Sequence, residues 1–145
     1  MYMTDDSGGE SIDEVVPKLP GMPHYHGDEV RGLFVLGALT IIFAESTGAE
    51  HLPLSTFTAV LSAALLVIAA GITNPKQLWI HWVNAFFAAM GTLLFGTSAV
   101  TSYRAGISIF DPSFVYVEAL ALISLLALYF TTRTIRGILL RPTLI

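Results

Sequence analysis

The chain has 145 residues, 54% hydrophobic and only 12% charged, whereas soluble domains carry about a quarter charged residues, so lipid is the expected solvent for most of it. The formal net charge of -4 belongs to a tail: Asp5, Asp6, Glu10, Asp13 and Glu14 fall within the first fourteen residues, and the rest holds seven bases against six acids. The absence of cysteine excludes disulfides, thiolate metal sites and cysteine nucleophiles, and acids ahead of the first apolar run are the wrong flank for a secretory signal, so no cleaved signal is expected.

Residues 1 to 27 contain "SGGES" and "PKLPGMPHYHG", with chain breakers at short intervals and too little apolar surface to fold alone. A flexible or extended tail is expected. His24, His26, Asp28 and Glu29 form a loose set of possible metal ligands, but residues two apart share a face only in an extended chain and the spacing fits no established site. No metal or other cofactor is expected.

Four apolar runs follow, and they predict an all-α fold: an integral membrane four-helix bundle with short loops and spans over about 30–45, 54–71, 75–103 and 112–132. The first run, Gly32 to Ala44, is short: at about 1.5 Å per residue it spans only if Arg31 and Glu45 snorkel at its ends. Gly71 is the expected stop of the second run. The third is expected to begin at Asn74 and Pro75 and the fourth at Asp111 and Pro112, each an Asx N-cap with proline in the first turn. The fourth continues into the basic "TTRTIRGILLRP", suited to a membrane surface.

Basic residues set the orientation. Four spans place both termini on one side, with Lys18, Arg31, Lys76, Arg133, Arg136 and Arg141 there and Arg104 opposite, which predicts cytoplasmic termini. The connections at 45–53 and 104–111 then face outward. Arg133, Arg136 and Arg141 are read as contacts to lipid headgroups.

On a helical wheel of the third run, Gln77, His81, Asn84, Ala88, Gly91, Thr92, Phe95 and Ala99 gather on one side. Trp79, Trp82, Val83, Phe86, Met90, Leu93 and Leu94 gather on the other. Small residues let helices approach closely while polar ones hydrogen-bond across the contact, so Ala85, Ala88, Gly91, Thr92 and Gly96 are the expected packing positions, as are Ala59 and Ala63 in the second run. Two readings of His81 and Asn84 stand: interhelical hydrogen bonds, or a proton relay. Glu118 stands about 9 Å into the fourth helix, where a carboxylate must be protonated, paired or wetted. Arg104 is its expected ion-pair partner and His51 a second. Glu45, Glu50 and Asp111 concentrate acid at the same mouth, so Glu118, His81, Asn84 and Glu45 are candidates for an ion or proton pathway.

"AGITNPKQLWIHWVN" and "YFTTRTIRGILLRP" resemble the matching stretches of small, uncharacterised four-span bacterial membrane proteins, over roughly residues 24 to 141. The resemblance implies four spans with both termini inside and brings no activity with it. No phosphate loop, nucleophile–base pair or metalloprotease pattern occurs, and an enzyme is not expected. The partners expected are the lipid bilayer and either further copies of the chain or another membrane protein, not nucleic acid. A homo-oligomer that forms or regulates a cation or proton pathway is the first functional expectation, and a non-conducting scaffold or accessory subunit the second.

Overall fold

A computed structural model describes residues 25–50, 52–74 and 76–140. The tail up to residue 24, and with it His24 and Lys18, lies outside the described residues, as do His51, Pro75 and Arg141. The described residues are all-helical: α1 (Gly27–Ser46), α2 (Thr56–Ile72), α3 (Leu78–Arg104) and α4 (Pro112–Leu139).

Each boundary has a local cause. α1 reaches 20 residues because it takes in Asp28 and Glu29 in its first turn, where carboxylates meet the positive end of the helix dipole, and Glu45 in its last. α1 and α3 close in the same manner. Gly48 (φ 70) and Gly106 (φ 77) adopt the left-handed region, and Ala49 N–H donates to Ala44 O (3.0 Å) as Ile107 N–H donates to Ser102 O (3.2 Å). Those bonds satisfy carbonyls that a helix end leaves bare. Both outward-expected connections therefore begin with one stop motif.

Two expected boundaries move. Gly71 does not stop α2, which runs on to Ile72 before Thr73 turns into extended geometry. α3 starts at Leu78 and not at Asn74–Pro75, because Asn74 is engaged in a turn of its own: its Oδ1 accepts from Lys76 N–H (3.0 Å) and its carbonyl from Gln77 N–H (3.3 Å). Asp111 caps α4 as expected, its Oδ1 accepting from Ser113 N–H at 2.9 Å, and Ser55 caps α2, its side chain accepting from Thr58 N–H.

The helices pack as a ring with one slack side. α3 lies along α4, α4 against α1 and α1 against α2, while α2 barely touches α3. Short loops lead one to expect successive helices to be adjacent, and α2 and α3 meet far less than the other successive pairs. The buried set is rich in alanine (Ala38, Ala44, Ala59, Ala63, Ala69, Ala70, Ala88, Ala127), while Phe43, Phe57, Trp79, Trp82, Phe86, Leu93 and Leu125 stand outside. α3 divides as its wheel predicts: Ala88 and Phe95 are buried, and Trp79, Trp82, Phe86, Met90, Leu93 and Leu94 are exposed. α3 and α4 are each long and apolar enough to cross a membrane, and only 17% of the most apolar stretch of α3 and 28% of that of α4 is buried in the bundle. A soluble protein's core helix would be mostly covered.

Candidate functional site

Side chains at the end of the bundle holding the start of α1, the end of α2, the start of α3 and the end of α4 make a buried polar cluster. Asn84 is 0% exposed and His81 2%. Asn84 Nδ2 donates to Thr73 Oγ1 (2.9 Å), and the Thr73 hydroxyl donates in turn to Ala69 O (2.7 Å). One threonine thus closes the end of α2 and ties it to α3 through the one side-chain hydrogen bond between them among the described residues. Thr134 repeats the device: its hydroxyl donates to Phe130 O (2.9 Å) and accepts His26 N–H (3.1 Å), joining α4 to the start of α1. Thr131 donates to Ala127 O (2.6 Å). A hydroxyl that gives its proton to its own helix still offers lone pairs across a contact, so both threonines can be buried without cost in unmet bonds.

The cluster is not fully satisfied. His81 Nε2, Asn84 Oδ1 and His26 Nε2 are buried with no hydrogen-bond partner among the described residues. Aromatic rings pack around the imidazoles: Tyr25 meets His81 edge-on with centroids 6.0 Å apart, and Phe130 lies 5.2 Å from His26. Burial, and after it Asp28 and Glu29 with Arg31 opposing, push the Tyr25 phenol above its ordinary range. His26 Nδ1 is 3.5 Å from Glu29 Oε1, and among the described residues no three acidic or histidine side chains converge as a metal site would require.

Along α3 and α4 the packing becomes intimate. A Cβ placed on Gly91 would stand 2.5 Å from Ser124 Oγ and 3.1 Å from Ser124 Cβ, so the Ser124 side chain occupies the space that any larger residue at 91 would need. Ala85, Thr92 and Gly96 are half-buried on the same helix. On the slack side, α2 and α3 diverge from the Asn84–Thr73 bond and leave a cleft of about 290 Å³, floored by α1 and α4 and lined by Leu66, Phe87, Gly91 and Phe95.

The opposite end carries Glu118. It is exposed on the outer face of α4, with Val115, Leu122 and Leu125 exposed along the same face. Among the described residues it forms no ion pair, and Arg104, exposed in the last turn of α3, does not reach it. The expected Glu118–Arg104 pair is thus not made within one chain, and both side chains stand exposed. Glu45 is half-buried. Ala44 and Val117, each next in sequence to one of these carboxylates, share one core cluster, so Glu45 and Glu118 both belong to this end of the bundle. The structure therefore separates the four pathway candidates: His81 and Asn84 lie inside one end, Glu45 and Glu118 at or near the surface of the other. Sequence reasoning passed over Thr73, Thr131 and Thr134. The signal available was threonine at the helix ends, which serves surfaces and interiors alike.

Comparison with known proteins returns no match: no protein-family model fits the chain, and no curated protein or solved structure is detectably similar to it.

Proposed function

We propose that the chain is a four-span membrane protein with cytoplasmic termini that assembles with copies of itself, and that Glu118 lines a cation or proton pathway where the copies meet. Small side chains inside and large apolar ones outside support lipid as the solvent, since helices in lipid associate through close approach and not through apolar burial. At about 1.5 Å per residue, α1 reaches roughly 30 Å and α2 roughly 26 Å, against a hydrocarbon core of about 30 Å. Lys76, Arg133 and Arg136 at one end against Arg104 at the other support the orientation.

The observation that carries the pathway is the outward Glu118 on an apolar face. A carboxylate facing hydrocarbon is costly, and a shared axis between copies relieves that cost by letting several carboxylates hold water or a cation. The interior of one bundle offers no substitute: its packing is alanine-rich, and the cleft beside α2 is lined almost wholly by apolar side chains. That apolar interior favours a second reading, a non-conducting accessory subunit in which Glu118 meets a base on another membrane protein.

Flux through liposomes separates the two. The purified chain is expected to pass protons or a monovalent cation, and Glu118→Gln to abolish the flux while leaving helix content unchanged. Absence of flux across pH and voltage, with the wild-type chain monomeric by cross-linking in the same vesicles, overturns the pathway and leaves the accessory subunit.

A further inference from the structure

A second groove, of about 300 Å³, opens between α3 and α4 at the end bearing the termini, and it is distinct from the cleft beside α2. Trp82 and Ala85 form one wall and Ile135, Leu139 and Leu140 the other, with Arg136 as the charged residue in the lining. From these residues we infer that the groove binds an anionic phospholipid, the phosphate against Arg136 and an acyl chain along the apolar walls. The inference rests on the membrane reading above and is independent of any pathway at Glu118.

Charge decides the occupant. The two ion pairs formed among the described residues, Arg31–Asp28 at 3.7 Å and His26–Glu29 at 3.5 Å, both lie at the start of α1 and use the two acids of its first turn. α4 has no acid near its end to offer. Arg136 and Arg133 stand one turn apart and are both exposed, with Arg133 Nη1 donating only to Tyr129 OH (3.3 Å). Like charges at this spacing repel, and an anion between them removes the repulsion. A zwitterionic headgroup supplies its own cation and relieves it less, and a partner helix would have to bring a carboxylate into a groove otherwise apolar.

Depth agrees with charge. Arg133 and Arg136 lie about 31 and 36 Å along α4 from Pro112, just beyond a hydrocarbon core of about 30 Å and within the headgroup layer. Trp82 lies about 6 Å into α3, where an amphipathic ring belongs at the interface. From Arg136 the groove continues towards the bilayer along Trp82, Ala85 and Ile135, the walls open to an acyl chain, whereas Leu139 and Leu140 lie about one turn to the far side of Arg136, at headgroup height.

The test uses the purified full chain in nanodiscs and in detergent, with phosphatidylglycerol, phosphatidylcholine of the same acyl chains, and soluble glycerol phosphate as probes. Phosphatidylglycerol is expected to bind and raise the unfolding midpoint, and Arg136→Gln to weaken that binding about fivefold, the contribution of one base near an anionic surface. Arg136→Lys is expected to keep most of it, and Trp82→Ala to weaken both phospholipids. Equal binding of phosphatidylcholine, an unchanged Arg136→Gln, or equal stabilisation by glycerol phosphate each overturns the lipid site. Failure of the chain to enter nanodiscs overturns the membrane reading and this site together, whereas entry without preference for phosphatidylglycerol overturns this site alone.

Discussion

At the end bearing the termini, His81, Asn84, Thr73, Thr131 and Thr134 are all buried; at the other end Glu118 and Arg104 stand exposed and Glu45 and Asp111 half-buried. The difference follows from what each group needs. A threonine hydroxyl meets half its demand on its own helix, as Thr73, Thr131 and Thr134 do, so one more donor completes it. An ionised carboxylate only accepts and a guanidinium carries five donors, so neither can be buried unless a full partner comes with it. At the first end the chain supplies partners for Thr73, Thr131, Thr134 and the Asn84 amide N–H while leaving His81 Nε2 and Asn84 Oδ1 without one, and among the described residues it supplies no ion-pair partner for Glu118 or Arg104 at the second. Polar residues inside are therefore part of what holds this fold together, and those outside are free to serve contacts the single chain does not contain.

Substitutions can break that contrast, the strongest first. Gly91→Val pushes a branched side chain into Ser124 at the α3–α4 contact that both ends depend on, and overpacking of this kind costs about 1–3 kcal/mol. Unfolding in micelles should show the loss, and Ser124→Ala in the same chain should recover part of it. An unchanged midpoint would mean that α3 and α4 are looser than the contact implies. Asn84→Leu comes next. It keeps the volume but removes the donor to Thr73, and such bonds between membrane helices average about 0.6 kcal/mol with a maximum near 1.7. Thr73→Val should cost a similar amount, and the double variant little more than either, since both remove one bond. Full additivity would show that Asn84 and Thr73 act separately.

The division of α3 into buried and exposed faces was legible because periodicity alone fixes it: Ala88 and Phe95 inside and Trp79, Phe86 and Leu93 outside follow from 100° per residue. A cap was legible where a side chain has one choice, as at Asp111, and not at Asn74, whose amide closes a turn ahead of the helix. The Asn84–Thr73 bond was out of reach, since it depends on how α2 returns into α3 across eleven residues. Sequence marked Glu118 and Arg104 as charges at one end, but whether they meet depends on the rotation of α4 about its own axis. A wheel gives that rotation only relative to neighbours, and the ring of contacts with its slack α2–α3 side is a property of all four helices together.

The smallest expected effect on stability carries the most weight for function. Glu118→Leu makes the same kind of change as Asn84→Leu, polar to apolar at similar volume, but on the outer face among Val115, Leu122 and Leu125. No bond within the chain is lost, and in lipid a carboxylate is exchanged for a side chain that hydrocarbon prefers, so the unfolding midpoint of the monomer in micelles should stay level or rise. Self-association should weaken in the same sample, measured by cross-linking or by energy transfer between labelled copies. A fall in monomer stability comparable to that of Asn84→Leu would mean that Glu118 is held by its own chain after all, and the contrast between the two ends would collapse. A level midpoint with undiminished association would leave the contrast standing and remove Glu118 from the contact, which would also end its role at a shared axis.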